Sequence, residues 1–109
     1  MIRCSRIAGA ALVGSLLMAA PVSAAGIDCR TDTRPAELIV CSSPELLESD
    51  GQMAALYDRI QTLVNSNAQA RRIRDNQRDW LASRDRCRTI DCLRDIYNER
   101  ISTLRSVLN

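Results

Sequence analysis

The chain contains no histidine, no phenylalanine and no lysine: its 15 basic residues are all arginine, and its aromatic side chains are Tyr57, Trp80 and Tyr97. Losing histidine removes the commonest general base and the commonest metal ligand together. There is no Gly-x-Ser-x-Gly elbow and no glycine-rich phosphate loop, so the marks of serine hydrolases and nucleotide-binding enzymes are missing as well. Asp75 and Asp79 are close enough to suggest paired-carboxylate chemistry, but their four-residue spacing beside arginines is better explained by ion pairs on a helix surface. The expectation is a protein that is not an enzyme and carries no cofactor. After the first 25 residues no apolar run is long enough to cross a membrane. Repeats, low-complexity tracts and long linkers are absent too, which leaves one domain.

Residues 1–24 read as a secretory signal peptide. Arg3 and Arg6 precede an apolar run from Ile7 to Ala20, and Pro21-Val22-Ser23-Ala24 ends in a small-residue cleavage site. No cysteine directly follows the apolar run, so no lipid anchor is expected, and a periplasmic or secreted mature chain of about 85 residues follows, spanning 25–109. Cleavage removes Cys4 and leaves Cys29, Cys41, Cys87 and Cys92. An even count in a short exported chain reads as a disulfide framework, because the compartment is oxidising and a small core gains most from covalent staples. Zinc is the rival reading, but C-x2-C pairs and histidine partners are both lacking, so no metal is expected. Of the three possible pairings the local one is favoured, Cys29 with Cys41 and Cys87 with Cys92. On a chain-entropy account loops of these sizes contribute roughly 3 and 2 kcal/mol.

With the signal removed, 13 arginines balance 13 acids. The charge is unevenly placed, with residues 25–58 acidic and residues 59–109 basic. Antiparallel helices that neutralise each other explain this simply; a polarised surface that selects a charged partner is the sharper reading. Nucleic acid is not an expected partner, because the arginines are interspersed with acids. Periodicity predicts an all-α fold, one short helix from about Pro35 to Cys41 followed by three longer ones in an antiparallel arrangement, at about 44–64, 68–86 and 91–108. Thr33 is a candidate cap for the first, Ser42 and Glu45 form a candidate capping box for the second, and Asp91 is a candidate cap for the last.

The apolar stripes carry polar interruptions. Asp50 falls between Leu46 and Met53, Gln77 and Arg84 alternate with Ile73, Trp80 and Cys87, and Arg100 lies between Tyr97 and Leu104. Single burial of such groups costs several kcal/mol, so the expectation is one partly buried network in which Asp50 meets Arg84 or Arg100 and Gln77 completes the set. An ion pair that fixes helix register is the structural reading, and a site lining a groove is the functional one.

These residues resemble the LprI-type lysozyme inhibitor domain of bacterial envelope proteins. The pattern runs through Asp28-Cys29, Pro35, Glu37, Val40-Cys41, Leu46, Asp50 and Tyr57. It continues through Gln77-x2-Trp80-Leu81-x2-Arg84-Asp85-x-Cys87, then Cys92, Tyr97, Ile101 and Leu104. Val40 replaces an isoleucine, and Gly51 interrupts a helix at a cost of about 1 kcal/mol. The resemblance implies an exported helical domain and, for some members, binding to lysozyme that blocks peptidoglycan hydrolysis. Inhibition on this basis means occupation of the enzyme cleft. Acids such as Glu37, Glu45, Glu48 and Asp58 are candidates for steering toward a basic enzyme, and Arg71, Arg72, Arg74 and Arg78 for reaching its carboxylates. The bland reading of that arginine cluster is a solvated helix face. An envelope interaction module that binds another protein or cell-wall fragments without inhibition is the alternative function.

Overall fold

A computed structural model describes residues 26–32 and 34–109. The signal-peptide residues 1–24 and the candidate cap Thr33 lie outside the described residues. Four helices follow in order, α1 (Pro35–Cys41), α2 (Pro44–Thr62), α3 (Asn67–Asp85) and α4 (Ile90–Leu108), and no strand occurs among the described residues.

Each long helix starts at a hydroxyl cap in extended backbone. Ser43 accepts from the Leu46 amide, Ser66 from Gln69 and Thr89 from Cys92, each satisfying one of the free N–H groups of a first turn. Two expected caps are therefore corrected. Ser42 does not cap α2, because its hydroxyl donates back to the Ile39 carbonyl at the end of α1 and the chain turns one residue later. Asp91 sits inside the first turn of α4, where its charge suits the helix N-terminus, and Thr89 occupies the capping position. Arg88 closes the other end of α3, its guanidinium donating to the Asp85 and Cys87 carbonyls at 2.6 and 2.9 Å.

The three long helices alternate in direction because the turns between them are short. As a result α2 and α4 run parallel and share the most extensive interface in the fold. Both carry apolar residues at helical spacing on one face, Leu46, Met53, Tyr57 and Ile60 on α2 facing Leu93, Tyr97, Ile101 and Leu104 on α4, all buried. Ala36 and Val40 of α1 complete one contiguous core with them. α3 packs against α1 and α4 and stands farther from α2.

The cysteines join locally. Cys29–Cys41 and Cys87–Cys92 each have a Cα–Cα distance of 5.6 Å, and they close chain separations of 12 and 5 residues. The first staples the N-terminal segment to the end of α1, and the second clamps the turn between α3 and α4. This local covalent closure offsets the small number of large side chains in the core.

Gly51 does not break α2, which is continuous through it, and a Cβ built there meets nothing within 4 Å. The residue is exposed and costs the helix only backbone entropy. Gly51→Ala is therefore expected to raise the unfolding free energy by about 1 kcal/mol in urea titrations; an unchanged or lowered midpoint would show that the helix requires a glycine there.

Candidate partner-binding face

The buried polar residues separate into two centres. In the first, the Asp50 carboxylate accepts from the Tyr97 hydroxyl at 2.8 Å and from the Ile27 amide at 2.8 Å. Nearby, the Arg84 guanidinium donates to Glu37 at 3.1 Å and to Asp85 at 2.9 Å. Burial and the charge of Asp50 push the Tyr97 phenol far above its ordinary range, against the pull of Arg84. The expected ion pair between Asp50 and an arginine is thus corrected. Parallel packing of α2 and α4 puts Tyr97 opposite Asp50, and α1 brings in Glu37 to neutralise Arg84. Glu37 is likewise corrected from an exposed steering acid to a buried one, at 7 % exposure. Its signal was its place beside Ala36 and three residues before Val40 on a seven-residue helix, which gives it the inward face of α1.

The second centre is built on Arg100. Its guanidinium donates to Gln77 Oε1 at 2.7 Å and to Asn76 Oδ1 at 2.6 Å, while Gln77 Nε2 lies 3.3 Å from the Met53 sulfur. Arg100 is buried at 6 % exposure, and no carboxylate lies within 4 Å of it among the described residues. Burial lowers its pKa from the ordinary arginine value. Its Nε and the indole N–H of Trp80 are both buried without a hydrogen-bond partner. The Trp80 ring joins the two centres: Arg84 and Arg100 approach it at 5.9 and 5.6 Å, and Tyr97 meets it edge-on at 5.2 Å.

Those long side chains fill the gap between α3 and the α2–α4 pair and leave a groove on each flank. One, of about 430 Å³, is lined by Tyr57, Ile73, Arg72, Arg100 and Val107 among others. The other, of about 320 Å³, is lined by Tyr57, Asp58, Arg74, Arg78 and Leu81 among others. The four surface arginines of α3 are therefore divided, Arg72 on one groove and Arg74 with Arg78 on the other. Arg71 is exposed and lines neither. Arg78 pairs with Asp75, whereas Arg71, Arg72 and Arg74 have no carboxylate within 4 Å among the described residues. Of the acids, Glu45 is engaged by Arg94 at 2.8 Å across α2 and α4, and Glu48 is exposed. No group of three or more potential metal ligands occurs among the described residues.

A family model described as lysozyme inhibitor LprI matches residues 28–104. The chain belongs to the LprI family. No curated protein and no solved structure matches it. The LprI match spans both disulfides and both polar centres. Most of the residues that carry the resemblance are its staples, its core and its buried polar partners: Cys29, Cys41, Cys87 and Cys92 are bonded, Leu46, Tyr97 and Leu104 are packed, and Glu37, Asp50, Gln77 and Arg84 are buried, whereas Pro35 is exposed. None of the exposed arginines of α3 belongs to that set.

Glu37 gives the first centre a pH signature. Burial, and then the nearby Asp32 and Asp85, raise its carboxyl above the usual 4.5 in spite of Arg84. A carboxyl raised on folding adds stability that is complete below about 4.5 and is lost as pH climbs through its folded value. The stability difference between wild type and Glu37→Gln, followed by urea unfolding, is therefore expected to shift against the wild type from about pH 4 to 7; a flat difference would place Glu37 outside the linkage.

Proposed function

We propose that this protein is an exported inhibitor that binds lysozyme and occludes its cleft, with the arginine face of α3 as the contacting surface. The observation that carries the reading is the LprI family match over 28–104, and the geometry supplies a means. Glycoside hydrolysis by lysozyme depends on carboxylates within a cleft. Arg71, Arg72 and Arg74 stand exposed toward one end of α3, with no carboxylate within 4 Å among the described residues. Arginine is suited to this task because its planar fork binds a carboxylate through two hydrogen bonds. The two grooves beside the helix make α3 a ridge, a shape that complements a cleft. Export rests on the sequence, on the signal-like residues 1–24 and the paired cysteines that suit an oxidising compartment.

An inhibitor of this kind works without chemistry of its own. Its arginines attract and hold the enzyme's carboxylates, and its rigid helices exclude peptidoglycan from the cleft. The stapled fold limits the entropy lost on docking, since the ridge is already ordered. Glu37 is buried and Glu45 is held by Arg94, so steering by the acidic half is the weaker contribution, with exposed Glu48 and half-buried Asp58 the remaining candidates.

The test is calorimetric titration of the mature, oxidised protein with animal-type lysozyme at low and physiological salt, alongside a cell-wall lysis assay. Binding that suppresses lysis and weakens with salt is expected. The Arg71→Ala/Arg72→Ala/Arg74→Ala variant should bind at least about tenfold more weakly with an unchanged circular dichroism spectrum. Failure to bind at high concentration would overturn the reading and favour an envelope interaction module without inhibitory activity.

A further inference from the structure

The groove beside Arg100 differs from the remaining surface in one respect: two guanidinium groups line it, and no carboxylate does. Arg100 and Arg72 supply its charge, and its other walls are neutral or apolar, with Tyr57, Ile60, Ile73 and Leu104 prominent. Its volume of about 430 Å³ lies within the range of sites that hold small molecules. Beyond Ile60 and Ile73 it runs into an apolar trough of about 220 Å³ between the ends of α2 and α4, where Leu63, Val64 and Leu108 form the walls. Leu63 and Val107 are 60 % and 63 % exposed at this end. The channel therefore has a cationic end and an apolar end.

The cationic end is a built site. Arg100 is more than nine-tenths buried, it is held by the neutral oxygens of Asn76 and Gln77, and its Nε has no partner. Arg84, the other buried arginine, has two carboxylates. A buried cation without a counter-charge is costly, and an arriving anion would recover that cost.

We propose that this groove binds a single-chain amphiphile with a carboxylate head, the head on Arg100 and Arg72 and the alkyl chain along Ile73, Leu104 and Val107 toward Leu63. The proposal does not depend on lysozyme binding, because it uses the flank of α3 and not its outer arginines alone. Charge complementarity selects the acid over an alcohol of the same length. A carboxylate offsets the positive charge of Arg100 and Arg72, and an alcohol leaves it uncompensated.

Trp80 makes the site observable. It is the only tryptophan, and Arg100 lies 5.6 Å from its ring, so a change at Arg100 alters its fluorescence. The experiment titrates the mature protein with decanoate, below the concentration at which it forms micelles, and with decanol, reading Trp80 emission and calorimetric heat. One saturable decanoate site is expected, with decanol at least about tenfold weaker. Val107→Glu places a like charge at the exposed rim without touching the core and should weaken decanoate about tenfold with an unchanged melting temperature. Arg100→Gln should remove the preference for acid over alcohol. Absence of saturation, equal affinity for the two ligands, or indifference to Val107→Glu would overturn the proposal. Binding of a leucine-rich acidic peptide in place of decanoate would assign the groove to a protein segment, and concentration-dependent dimerisation that Val107→Glu abolishes would assign it to a second copy; either result overturns it as well.

Discussion

The carboxylate of Asp50 sets how three separate parts of the chain meet. One oxygen accepts from Tyr97 of α4 and the other from the backbone amide of Ile27, so a single side chain on α2 ties the parallel helix pair to the N-terminal segment. Apolar stripes alone let two helices slide by a heptad at modest cost, because one apolar side chain replaces another. A buried carboxylate removes that freedom, since a slipped register costs it the Tyr97 hydroxyl. With α2 and α4 fixed, Cys29 is carried to within disulfide reach of Cys41, and α1 is positioned to present Glu37 to Arg84.

This dependence explains why the polar residues lie among the most deeply buried. The core has few large side chains, with Tyr97, Leu46, Met53, Leu93 and Val40 the largest that are fully enclosed. Hydrophobic burial of that extent favours compaction but discriminates poorly between packings. Satisfied polar groups and two local staples supply the discrimination. The Trp80 ring, approached by two guanidinium groups and met edge-on by Tyr97, connects the two polar centres into one support for α3.

Much of this was legible from residue order, and the failures share a cause. Stripe periodicity located the helices to within two or three residues and marked Asp50, Gln77, Arg84 and Arg100 as inward, because inward direction is a property of one helix. Which of those groups pair depends on the relative height of neighbouring helices, which no single stripe records. Asp50 therefore meets a tyrosine hydroxyl and a backbone amide in place of the expected arginine, and Glu37 is hard to tell from a surface acid in sequence because its helix is only seven residues long. Capping failed for a similar reason: Ser42 and Ser43 are chemically equivalent, and the choice between them follows from where α1 ends. The division of the α3 arginines between two grooves was invisible as well, since it depends on the gap that Arg100 and Gln77 hold open.

The separation of scaffold from surface is the main functional consequence. The LprI pattern falls mostly on staples, core and buried partners, while Arg71, Arg72, Arg74 and Arg78 face solvent on α3. The central claim is that the Asp50–Tyr97 bond fixes this scaffold, and the most direct measurement is a double-mutant cycle of Asp50→Asn and Tyr97→Phe by urea unfolding of the oxidised protein. The account predicts a coupling of about 1–3 kcal/mol between the two sites. Additive effects would contradict it and would show that the helix pair is held by its apolar packing alone.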